Sequence, residues 1–146
     1  MLDHPGGFDS DGENLWIPIS QSRRNGKTIV RKFSIGSLID KGDATPTESI
    51  IINDHIGAIA VSRSSKRLFG ANWDTMLAYE LSVDGNPIQH YERKTFIRNL
   101  PSWSIAVQDW KVHDGFLIAS GLDRSSKLLA NRPRSLIQLV NVKTRQ

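Results

Sequence analysis

The stretch Asp54-His55-Ile56-Gly57-Ala58-Ile59-Ala60-Val61 decides the fold, because the chain has already passed through a version of it at Asp3-His4-Pro5-Gly6-Gly7. Behind each copy comes the same succession: a short strand, a turn, a second strand near a tryptophan (Trp16, then Trp73), and a third strand. A repeat of about fifty residues made only of short strands is the signature of a β-propeller blade. The run Ile56 to Val61 is small and apolar, as befits a strand crowded near a propeller axis.

In the first unit, Asp11-Gly12-Glu13-Asn14 reads as an Asp-Gly hairpin turn. It separates an innermost strand, Gly7 to Ser10, from Leu15-Trp16-Ile17-Pro18-Ile19, whose proline predicts a bulge or an unpaired position. Thr28 to Ile35, rich in β-branched residues, reads as a third strand and Ser49 to Ile52 as an outer one, with a loop from Ser37 to Pro46 between them. The second unit gives strands at Ile56–Val61, Arg67–Trp73 and Met76–Val83, then the turn Asp84-Gly85-Asn86-Pro87 and an outer strand within Ile88 to Ile97. The third gives Ile105–Val112, the turn His113-Asp114-Gly115, then Phe116–Gly121 and Ser135–Val142, with no outer strand. No segment carries a 3.6-residue apolar stripe, and the best helical candidate, Arg124 to Asn131, is short and lacks a clear cap. The expected fold is all-β: a partial β-propeller of about three four-stranded antiparallel blades, the last lacking its outer strand. It forms a single domain over residues 1–146, with units at 4–53, 54–103 and 104–146.

Bulk composition agrees with one ordinary domain. The chain has 146 residues, 38% hydrophobic and 23% charged, which argues against both disorder and membrane embedding. No apolar run is long enough to span a bilayer, and no signal peptide is visible, so a cytoplasmic location is the default expectation. With no cysteine there is no disulfide, thiolate metal site or cysteine nucleophile. The net charge of +4 is spread over pairs such as Arg23-Arg24, Lys66-Arg67 and Arg93-Lys94, broken by acids. Without a dense basic stripe, neither nucleic acid nor a membrane is an expected partner.

The combination His4-Pro5-Gly6-Gly7-Phe8-Asp9, Asp11-Gly12 and Leu15-Trp16-Ile17-Pro18 resembles a group of propeller-like proteins known as domain-of-unknown-function family 6454. Asp54-His55-Ile56-Gly57 and Leu68-Phe69-Gly70-Ala71-Asn72-Trp73 are similar to the next blade of that family. The resemblance covers most of the chain and implies a propeller, with no activity to carry over. Members of the family are considerably longer, which implies that this sequence holds only part of the architecture. Closed propellers use about four to eight blades, so three leave open flanks. Those flanks predict assembly of two copies into a six-bladed ring, completion by another chain, or a marginally stable piece.

His4 and His55 occupy equivalent repeat positions just ahead of the innermost strands, so their imidazoles are expected to converge at a channel mouth. With Asp54 and Asp109 to orient them, they are the candidate binding residues and the candidate ligands for a divalent metal such as zinc or manganese. The competing reading makes each a structural histidine bonded to the backbone of a neighbouring blade. Asp9, Asp11 and Glu13 lack the ligand spacing of a calcium loop and read as a solvated turn. Of the four tryptophans, Trp16 and Trp73 read as inter-blade packing, whereas Trp103, in a loop beside Pro101, reads as exposed and a binding candidate. No serine-hydrolase elbow is present. The leading functional expectation is a non-catalytic scaffold or binding module without a required cofactor. The alternative is a metal-dependent lyase or hydrolase with His4 and His55 as ligands or general acid and base.

Overall fold

The structure, a computed structural model, describes residues 1–96, 105–123 and 135–143. Its first sheet holds β1 (His4–Pro5), β2 (Asp9–Ser10), β3 (Asn14–Ser20), β4 (Thr28–Ser34) and β5 (Glu48–Ile52). The second holds β6 (Ile56–Ser62), β7 (Arg67–Asn72), β8 (Leu77–Ser82) and β9 (Pro87–Glu92). The third holds β10 (Ile105–His113), β11 (Phe116–Asp123) and β12 (Ser135–Asn141). Each is an antiparallel meander in chain order, the expected form of a blade.

The inner strand of the first sheet is split, and Pro18 explains where. His4 and Pro5 pair with Ser20 and Ile19, and Asp9 and Ser10 pair with Trp16 and Leu15, leaving a gap opposite Ile17 and Pro18. Proline brings no amide hydrogen to the ladder, so at Pro18 the pairing is reduced to Gly6 N–H donating to the Pro18 carbonyl at 2.9 Å. Gly7, in the gap, forms a parallel bridge to Ala58 of the second sheet: its N–H donates to the Gly57 carbonyl, and its carbonyl accepts from Ile59 N, both at 2.9 Å. Of the predicted strand from Gly7 to Ser10, Asp9–Ser10 pairs within its own blade while Gly7 stitches two blades together, and the stretch expected as a turn supplies a second short piece, His4–Pro5.

Packing follows the blade pattern. One face of the second sheet (Ile56, Ile59, Val61, Leu68, Leu81) meets Trp16, Val30 and Ile52 of the first. Its other face (Ala58, Ala60, Phe69, Ala71) meets Ile105, Val107, Trp110, Leu117 and Val140 of the third. A strand buried on both sides reads as a continuous apolar run, which is why Ile56 to Val61 shows no polar alternation. The inner segments meet at the axis. A Cβ on Gly7 would stand 2.6 Å from the Gln108 carbonyl oxygen and 2.9 Å from Asp109 Cα. The axis is therefore packed at that level, and the expected central channel is reduced to a cleft at each end.

Two elements depart from the all-strand reading. Ile35–Lys41 is a helix (α1) where a loop was expected, its N-cap Ser34 accepting from Ser37 N at 3.3 Å and its end closed by Gly42 at φ 62°. The start signal is the serine and the stop signal the glycine, and seven residues are too few for a visible stripe. The expected outer strand of the second unit ends at Glu92 and gives way to a helical turn, Arg93–Phe96 (α2), which seats Phe96 against Trp110. The helical candidate Arg124 to Asn131 and the unit boundary at 103/104 lie outside the described residues. No described helix is long and apolar enough to cross a membrane.

Candidate functional site

At the end of the axis where all three inner segments begin lies a cleft of about 340 Å³, lined by His4, His55, Trp73, Gly57, Val107 and Gln108 among others. Ring centroids of His4 and His55 stand 5.2 Å apart, tilted by 45°. Trp73 meets His55 edge-on at 4.4 Å and lies nearly parallel to His4 at 6.3 Å. The repeat position thus brings both imidazoles to one mouth.

His4 is exposed on β1, whereas His55 is only 2% exposed, in the link into β6. His55 Nδ1 lies 2.7 Å from the Gln21 carbonyl oxygen. A carbonyl only accepts, so Nδ1 is the donor in this contact, and Nε2 is the ring nitrogen it leaves unused. This bond crosses from the second blade to the first, as a structural histidine would, and it also fixes which nitrogen is left for the cleft.

The two carboxylates expected to orient the imidazoles do other work. Asp54 Oδ1 accepts from the backbone N–H of His55 at 2.7 Å, and its Oδ2 accepts from Asn72 Nδ2 at 3.0 Å and Tyr79 OH at 2.7 Å. Desolvation and then the Asp54 carboxylate push the Tyr79 phenol well above its ordinary pKa, so it stays a neutral donor. Asp54 therefore sets the backbone that carries His55 without touching its ring. Asp109 pairs instead with Lys111 Nζ at 2.9 Å, at a bulge in β10. Trp103 lies outside the described residues.

Trp73 is the residue the sequence reading placed differently. Trp16 and Trp110, each 1% exposed, are the packing tryptophans, whereas Trp73 stands half-buried in the cleft wall. It rides on the turn Asn72-Trp73-Asp74-Thr75, closed by Thr75 N donating to Asn72 O at 2.8 Å. Thr75 takes φ 56°, a left-handed conformation that is costly for a β-branched residue. Neighbours hold it there: Thr75 Oγ1 accepts from Val107 N of the third blade at 2.9 Å, and Asn72 Oδ1 accepts from Leu77 N at 2.9 Å. Arg24 of the first blade pairs with Asp74. All three blades thus fix one half-buried aromatic at the mouth. Among the described residues, no three of His, Cys, Asp and Glu come together as a metal shell.

The opposite mouth opens a wider cleft of about 800 Å³, lined by Asp9, Ser62, Arg63, His113, Asp114 and Lys143 among others. Asp11, near it, confirms the turn reading: although partial burial opposes it, amide donors from Asn14 and Glu13 hold its carboxyl below the ordinary value.

Two outer sheet faces carry apolar side chains that join neither buried cluster. On the first sheet, register places Leu15 beside Phe33, Ile17 beside Arg31, and Ile19 beside Ile29, which neighbours Ile51. None of these residues belongs to either buried core cluster, and Ile51 is 68% exposed. Arg31, in the middle of this face, holds its buried Nε without an acceptor among the described residues. On the third sheet the outward face carries Ile118, with Ile137 72% and Leu139 61% exposed.

A sequence model for a family of unknown function, DUF6454, matches residues 1–144. No curated protein matches the chain. Among solved structures, the chain is similar to Kuenenia stuttgartiensis hydrazine synthase, with a TM-score of 0.61 and 11% identity over 99% of this chain and 34% of that one. It is also similar to the β-propeller domain of Myceliophteria thermophila Cps50 (Swd1), at 12% identity and a TM-score of 0.48 over 96% of this chain and 40% of that one. At 11% identity the likeness to the hydrazine synthase chain is one of fold alone. The chain spans about a third of the length of the hydrazine synthase chain, 34%.

Proposed function

We propose that this chain, which belongs to the family of unknown function DUF6454, is a propeller-type scaffold and binding module completed by a second copy of itself. The observation that supports this reading is the pair of apolar faces on the two outer sheets that join neither core cluster and leave Ile51, Ile137 and Leu139 exposed. Inside the chain, the same kind of face is buried: the second sheet is covered on one side by the first and on the other by the third. The outer sheets have that cover on one side only. Large exposed apolar patches mark interaction surfaces. A blade-like sheet has the shape to cover another, and a twofold pair lays the third sheet of each copy on the first sheet of the other.

Light scattering on the full chain gives twice the chain mass, and the Ile137→Lys/Leu139→Lys variant falls to the single-chain mass while keeping its β-sheet circular dichroism. A well-folded wild-type chain of single mass overturns the proposal.

A further inference from the structure

We infer that the cleft formed by His4, His55 and Trp73 is a two-histidine site for a borderline divalent transition-metal ion of the zinc, nickel or copper class. The ring placement fits. Two imidazoles on one tetrahedral ion, with metal–nitrogen bonds of about 2.0–2.1 Å, have centroids about 5 Å apart. His4 and His55 stand at 5.2 Å. The outer contact fits as well: a ligating histidine characteristically donates its other N–H to a carbonyl or carboxylate, which fixes its tautomer. His55 donates Nδ1–H to the Gln21 carbonyl at 2.7 Å, and its Nε2 makes no hydrogen bond among the described residues. Imidazole nitrogen selects this class of ion over magnesium or calcium, which take oxygen donors.

No third His, Cys, Asp or Glu joins the pair among the described residues, so a bound ion would take its other ligands from water or an exchangeable molecule. The cleft beside the pair is also lined by Gln108 and Trp73. The inference stands apart from the self-association reading, because both histidines, Trp73 and Gln21 belong to one chain.

Trp73, 4.4 Å from His55, is a built-in reporter, since a bound nickel ion quenches a neighbouring indole. The full-length chain, freed of metal, is titrated with nickel chloride while tryptophan emission is followed, and with zinc chloride by calorimetry. One ion per chain is expected, with quenching reversed by EDTA and abolished in Trp73→Phe. His4→Ala, on the exposed ring, weakens binding about tenfold or more. Because His55→Ala removes a buried bond, His55→Asn is the second variant: its amide can replace the Nδ1–H donor but not Nε2. It also loses binding, with its thermal unfolding close to wild type. His113→Ala, at the opposite mouth, leaves binding unchanged. No saturable binding, or binding that survives both His4→Ala and His55→Asn, overturns the inference.

Discussion

Asp54 shows how one side chain can be indispensable to a site without taking part in its chemistry. Its carboxylate gathers the His55 amide, the Asn72 side chain and the Tyr79 hydroxyl, so it holds the link carrying one imidazole and the turn carrying Trp73. Asp54→Ala strands three donors at once and is expected to cost about 2–3 kcal/mol in urea unfolding. The phenol of Tyr79 adds a pH dependence with a definite sign. Its pKa is raised on folding above the ordinary 10.0, so its contribution is intact below pH 10. That contribution declines as the pH climbs from there, because the unfolded chain releases the proton first. The urea midpoint should therefore hold from pH 8 to 10 and fall beyond it, with a shallower fall in Tyr79→Phe. The histidines were legible as a pair because they recur at one repeat position. The destinations of Asp54 and Asp109 were not, since a carboxylate beside a histidine in sequence can turn to any donor the fold supplies.

At the level of elements, the crossing of the inner strands is decided by glycine. Gly7 sits where a methyl group would meet the backbone of β10 at under 3 Å, and backbone cannot swing aside. Gly7→Ala should cost about 1–3 kcal/mol. The matched control is Gly36→Ala in α1, where the nearest atom to an added Cβ is 3.9 Å away and the helix gains about 0.5–1 kcal/mol. Equal unfolding midpoints for the two variants would contradict the packed axis. The meanders were readable because hairpin turns such as Asp84-Gly85-Asn86-Pro87 announce themselves in sequence. The helix at Ile35–Lys41 was missed because one short turn pattern sat inside polar loop residues. Trp73 was read as packing because nothing local signals that Thr75 takes a left-handed conformation; the bond from Val107 that holds it comes from another blade.

For the whole molecule, the propeller reading rests on side-by-side sheets whose inner segments begin at one mouth and end at the other. The Gly7–Ala58 bridge is parallel, as a common strand direction around one axis requires. Such an arrangement buries both faces of a middle blade and one face of each end blade, and the exposed Ile51, Ile137 and Leu139 mark the two faces left over. Blade stacking depends mainly on neighbours, so missing cover weakens the outer sheets first. The central claim is that these two faces meet head to tail in a closed pair of chains. The chain has no cysteine, so introduced ones report contacts without background. The decisive measurement is mild oxidation of an Ile17→Cys/Leu139→Cys double variant beside each single variant, read by non-reducing electrophoresis. A covalent pair of chains is expected from the double variant and uncrosslinked chains from either single one. A double variant that stays uncrosslinked, single variants that crosslink to themselves, or an open ladder of higher species would contradict it.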